Sequence, residues 1–161
     1  MISRHSLLAG LLGGTVLALA GRAPAAGGRR DFPLSLSDEE WRRRLSPEAF
    51  QVLRRGASER PGSSPLYREE RAGTYHCAAC GQAAFDARTK YASGTGWPSF
   101  WTHLPDAVVT EPHKGFFRDS GDVFCANCGG QLGEVFSDGP RPTGLRYCMN
   151  GIALTFAPAQ G

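Results

Sequence analysis

The hydrophobic pattern changes period once along the chain. Ahead of Gly73 the apolar residues fall at helical spacing, and after it they alternate in short runs cut by Gly, Pro, Asp and Asn. Ser37 followed by Asp38, Glu39 and Glu40 is a capping box, so a short helix starts there and turns Trp41 and Leu45 inward. Ser46-Pro47-Glu48 opens a second helix with Phe50 and Leu53 on one face. Arg54 and Arg55 complement its dipole, and Gly56 ends it. Residues 57–72 are polar and irregular and read as a wrapping loop. The period-two region predicts strands over Thr74–Cys77, Ala84–Asp86, Ala107–Glu111, Gly115–Arg118, Val123–Cys125, Leu132–Phe136, Leu145–Met149 and Ile152–Phe156. Asp138-Gly139-Pro140 and Asn150-Gly151 are turn signals, the second able to close a hairpin beside Cys148. The expectation is a mainly β domain behind short N-terminal helices.

The first residues are set apart. A basic start at Arg4-His5, a run of Leu, Ala, Gly and Val over residues 7–20 and the small residues Ala23-Pro24-Ala25 predict an export signal over residues 1–26. The apolar run is short for a membrane span, and an uncleaved N-terminal anchor is the alternative. A linker over residues 27–36, a domain over 37–157 and a tail over 158–161 complete the division. Cleavage would remove Arg4 and Arg22 and take the formal charge from +3 toward neutrality. Nothing in that balance points to nucleic acid, and Arg42-Arg43-Arg44 reads as a solvated helix face behind an acidic run. The destination is exported, with the periplasm the expected compartment and a monomer the default state.

Five cysteines carry the candidate chemistry. Cys77/Cys80 and Cys125/Cys128 are two Cys-x-x-Cys-Gly knuckles of the same form, and two such pairs can close a tetrahedral four-cysteine zinc site with no position left for water. Two disulfides or two redox pairs are the competing readings, because exported proteins meet oxidants. Cys148 has no local partner and is either packing or chemistry. Arg146 and Asn150 lie at period two from it and project from the same strand face, where a cation favours the thiolate.

Between the knuckles runs Lys90-Tyr91-Ala92-Ser93-Gly94-Thr95-Gly96-Trp97-Pro98-Ser99-Phe100. This run, the two knuckles, Leu132-Gly133-x-Val135-Phe136-x-Asp138-Gly139-Pro140 and Gly144-Leu145-Arg146-Tyr147-Cys148-x-Asn150 occur in the order found in methionine-R-sulfoxide reductases, which the chain resembles over about residues 36–157. The resemblance implies two antiparallel sheets of the β-tent type, a structural Zn2+ on Cys77, Cys80, Cys125 and Cys128, and reduction of the R epimer of methionine sulfoxide, free or in proteins. It makes Cys148 the nucleophile, left as a sulfenic acid that a second thiol restores. Trp97, Gln131 and Phe136 would contact substrate, and Asp138, Arg146 and Asn150 would orient water and the sulfoxide oxygen.

Two positions depart from that family. Members commonly carry histidines where this chain has Gln131 and Glu134. Glutamine offers only hydrogen bonds, whereas Glu134 could deliver a proton if its surroundings allow. Many members place a resolving cysteine at Thr95; here recycling would fall to an external thiol reductant such as a thioredoxin-like protein. The other readings are a zinc-stabilised relative that binds polypeptides but turns over poorly, and a thiol redox sensor oxidised at Cys148.

Overall fold

The computed structural model describes residues 31–113 and 120–160. The export signal, residues 27–30 of the linker and the strand expected over Gly115–Arg118 lie outside the described residues. No helix among the described residues is long and apolar enough to cross a membrane.

Helix α1 (Asp38–Arg44) is short and held at its start by the reciprocal cap its sequence implies. The Glu40 N–H donates to Ser37 Oγ at 3.3 Å and the Ser37 N–H donates to Glu40 Oε2 at 2.8 Å. Helix α2 (Pro47–Arg55) is capped by Ser46 and ends at Gly56, whose φ of 73° suits a residue without a side chain. Phe50, Val52 and Leu53 are buried on its inner face, and Trp41 of α1 is fully buried under the Arg54 guanidinium, 4.8 Å from the ring centroid.

The remainder is two antiparallel sheets. Strands β1 (Gly73–Cys77), β2 (Ala83–Asp86) and β9 (Leu154–Pro158) form one in the order β2-β1-β9. Strands β3 (Lys90–Tyr91), β4 (Ser99–Phe100), β5 (Val108–Pro112), β6 (Ser120–Cys125), β7 (Gln131–Phe136) and β8 (Arg146–Met149) form the other, in the order β3-β4-β8-β7-β6-β5. Both are antiparallel throughout. Tyr75 and Phe85 of the small sheet meet Phe100 of the large one, with ring centroids 4.9 and 4.5 Å apart. That aromatic layer buries the inner faces of both sheets.

The Asn150-Gly151 signal does not close a hairpin. Strands β8 and β9 sit in different sheets, and Gly151–Ala153 is a 3-10 turn that carries the chain between them. The reason lies in the wrapping loop. The Glu59 carboxylate accepts from the N–H groups of Gly151 and Ile152, at 2.5 and 3.1 Å, and the Glu59 N–H donates to Asn150 Oδ1 at 2.9 Å. Those bonds satisfy the turn's free donors and hold Asn150 away from a two-residue hairpin geometry.

Candidate active site

Strand β8 sorts its residues by alternation. Tyr147 and Met149 are buried in the core, so Arg146 and Cys148 face the other way. There Cys148 lines a cleft of about 180 Å³ with Ser58, Thr95, Trp97, Gly133, Glu134, Phe136, Arg146 and Asn150. The volume lies below the several hundred Å³ of pockets for drug-sized ligands and suits the tip of one side chain.

Each wall has a local origin. Trp97 and Thr95 stand on the glycine turn between β3 and β4, where Gly94 and Gly96 take φ of 74° and 94°. The wrapping loop ties this turn down, the Gly62 N–H donating to Gly96 O at 2.7 Å. Phe136, at the end of β7, lies under the Arg146 guanidinium, 4.3 Å from its ring centroid. Arg146 is in turn gripped by Asp138, its Nε and one terminal nitrogen each donating to a carboxylate oxygen at 2.8 Å. Asp138 is exposed and reaches the cleft only through Arg146. Gln131 lies outside the cleft lining, and its Nε2 donates to Asp122 Oδ1 at 2.8 Å. Asn150 is buried and lines the cleft while accepting from the wrapping loop.

Around the thiol the structure adds a chain of hydroxyls, of which the sequence singles out only Thr95. Thr95 Oγ1 lies 3.8 Å from Cys148 Sγ, and a chain of hydroxyls continues from Thr95 to Ser93 at 2.9 Å and on to Ser99 at 2.7 Å. Ser99 pairs with Cys148 across β4 and β8. Burial pushes the Cys148 thiol up from its ordinary value, and this outweighs the opposing pull of the Thr95 hydroxyl and the Arg146 charge. The expected pull of Arg146 toward the thiolate is present, but burial is the larger influence. Arg146 does favour the anion, but its guanidinium is already bound to Asp138.

Glu134 faces Cys148 directly in the β7–β8 register. This approach depends on Gly133, where a Cβ would lie 2.2 Å from Cys148 O and 2.8 Å from Met149 Cα. Those are backbone atoms with no side-chain freedom to yield. Gly133→Ala is expected to force β7 and β8 apart and cost about 2–3 kcal/mol, lowering the thermal midpoint by roughly 10 °C; a melt that matches the parent protein would refute this account of the glycine.

The knuckles repeat one geometry. In each, the first cysteine's N–H donates five residues ahead, Cys77 to Gln82 O at 2.8 Å and Cys125 to Gly130 O at 2.9 Å. In each, the glycine N–H returns to that cysteine's carbonyl at 2.8 Å, and Gly81 and Gly129 have φ of 76° and 64°. His76 caps the first, its Nδ1 lying 3.1 Å from Gly81 O. The four sulfurs lie within 4.8 Å of one another, with Cys77 to Cys128 at 3.7 Å and Cys80 to Cys125 at 3.6 Å. A tetrahedral zinc with sulfur ligands at 2.3 Å requires about 3.8 Å between sulfurs, while a disulfide would need about 2.0 Å. The set fits a metal ion.

Fold and cleft together define a class: two-sheet β proteins clamped by paired cysteine knuckles and built to present one thiol beside aromatic walls. The comparisons with known proteins narrow this to a family. The SelR domain family matches residues 45–158. A peptide methionine sulfoxide reductase MsrB of Leifsonia xyli is 50% identical over 135 residues, covering 81% of this chain and 96% of that protein. Those of Leptospira interrogans and Pseudomonas putida are 44% and 48% identical, covering 78% and 76% of this chain and 97% and 93% of theirs. The chain belongs to the MsrB family.

Proposed function

We propose that the chain reduces the R epimer of methionine sulfoxide to methionine through a Cys148 sulfenic acid. The observation that carries the reading is the placement of Cys148 in a side-chain-sized cleft between Trp97, Phe136 and Glu134. Family membership supports the same reaction. Trp97 and Phe136 supply apolar surface for the methyl group and thioether stem, and Arg146 presents charge for the sulfoxide oxygen. Gln131 acts on this site only through Asp122.

In the reaction the Cys148 thiolate adds to the sulfoxide sulfur while Glu134 delivers a proton to the oxygen. The oxygen passes to Cys148 and methionine leaves. The cysteine loses two electrons and the sulfoxide gains them, and the proton lost by the thiol balances the one delivered. Return to the thiol takes two equivalents of external thiol: the first forms a mixed disulfide and releases water, and the second displaces Cys148. An external donor is required because the other four cysteines form the knuckle cluster.

The same reading gives the four knuckle cysteines a structural Zn2+, which supplies no chemistry to the cleft and closes the fold. Residues 1–26 serve export, placing the enzyme and a thioredoxin-like reductant in the periplasm.

Single turnover with excess enzyme tests this. About one methionine should form per Cys148 from the R epimer and none from the S epimer, with a trappable sulfenic acid at Cys148. Peptide mapping after turnover should find no intramolecular Cys148 disulfide. Absence of methionine from a folded, zinc-loaded protein would favour the binding-module reading, and rapid peroxide oxidation without sulfoxide selectivity would favour the sensor.

A further inference from the structure

The large sheet carries a row of polar groups across its cleft face. In the β6–β7–β8 register Asp122 lies opposite Glu134 and Glu134 opposite Cys148. Side chains paired this way share a face with Cβ atoms about 5 Å apart. The row reaches Cys148 from the side opposite Ser99, and its outer member is joined by an imidazole.

His113 follows the end of β5 and turns back over β6. Its Nε2 lies 3.3 Å from Asp122 Oδ1, and its Nδ1 lies 3.0 Å from Ser120 Oγ. A ring nitrogen of His113, a carboxylate oxygen of Asp122 and one of Glu134 lie within 4.8 Å of one another, a span that one bridging water covers. Gln131 fixes Asp122 from the other side. The His113 ring is about a third exposed, so it meets solvent at one edge and the carboxylates at the other.

We propose that His113 is a positioning residue for sulfoxide reduction, held by Asp122 so that its imidazole reloads Glu134 with the proton that Glu134 delivers at Cys148. This rests on the reading of Glu134 as the proton donor. Each turnover takes one proton from Glu134 to the substrate oxygen while the Cys148 thiol gives one up to solvent, so Glu134 has to be reloaded before the next substrate. Imidazole is the side chain that exchanges protons with solvent in the neutral range. The groups facing this row are Glu111, which pairs with Asp122 from β5, together with Glu134, Cys148 and the Asp138-bound Arg146. The His113–Asp122 contact is about a third exposed, where a polar pair adds little to stability.

The test is the multiple-turnover rate of the full chain with saturating chemical dithiol from about pH 5 to pH 9, comparing the parent with His113→Gln, Asp122→Asn and Glu134→Gln. His113→Gln should lower the maximal rate about ten-fold and remove a neutral-range limb from the profile, with apparent substrate affinity and thermal midpoint unchanged. Added imidazole should restore part of the rate, and Asp122→Asn should reproduce the loss. A merely structural role would lower the midpoint and leave the profile's shape intact, and that result overturns the proposal. So does a His113→Gln profile matching the parent; if Glu134→Gln is then slow, the proton-donor reading stands and the relay alone fails. A parent protein that forms no methionine overturns both.

Discussion

Serine at position 148 is expected to abolish methionine formation, by more than about 10⁴-fold in single turnover, while the fold is retained. The loss is chemical. Sulfur can accept the sulfoxide oxygen and become a sulfenic acid, whereas a serine oxygen would have to form an O–O bond. Serine also fits the space: it is smaller than cysteine, and Thr95 Oγ1 stands 3.8 Å from the sulfur as a ready hydrogen-bond partner. The parent protein should show the matching pH dependence. Burial pushes the Cys148 thiol up, so in the empty cleft the protonated form prevails below its raised pKa and the reactive thiolate grows about ten-fold for each pH unit approaching it. Alkylation of Cys148 should therefore accelerate with rising pH. Arg146→Met, which removes a charge that favours the anion, should slow it at any given pH. Methionine formed by Cys148→Ser, or alkylation that is fastest in acid, would remove Cys148 from the role of nucleophile.

The features legible in the sequence are those set by local chemistry. Both helices were marked by serine caps, and the second also by its terminal glycine, signals that act within a few residues. The knuckles were marked by spacing, and the face of Cys148 by alternation along one strand. What escaped depends on contacts distant in sequence. Lys90–Tyr91 and Ser99–Phe100 are strands of two residues, too short to show a period, and they exist because Ser99 and Phe100 pair with Cys148 and Tyr147. Asn150-Gly151 carries a hairpin signature, yet Glu59, some ninety residues earlier, caps the turn and sends the chain to the other sheet. The acidic row escaped for a third reason. An irregularity between Val123 and Phe124 shifts the β6–β7 register, and without it the partner of Glu134 cannot be counted from the turn. Ser93 and Ser99 stand in the sequence only as members of the Lys90–Phe100 run, and their hydroxyl chain to the thiol forms once that segment folds back beside β8.

Removing the proposed zinc is the other change with a large expected effect, and here the consequence is structural. Cys77 ends β1 in the small sheet and Cys125 ends β6 in the large one, so the cluster joins the two sheets beside their packed aromatic layer. Cys77, Cys125 and Cys128 are fully buried. The four sulfurs lie within 4.8 Å of one another, a spacing at which several thiolates repel unless a cation is shared among them. A zinc ion reverses that repulsion, and structural zinc sites bind with roughly 10–16 kcal/mol of apparent free energy, comparable to the whole stability of a domain this size. The zinc-loaded protein should contain one ion per chain. Chelation, or Cys128→Ser, should lower the thermal midpoint by at least about 10 °C. Activity should fall as the sheets separate, because the face of β8 that carries Cys148 is backed by the aromatic layer between them. A protein that carries no metal, melts normally and yields Cys77–Cys80 and Cys125–Cys128 disulfides on mapping would show that the knuckles serve redox chemistry instead.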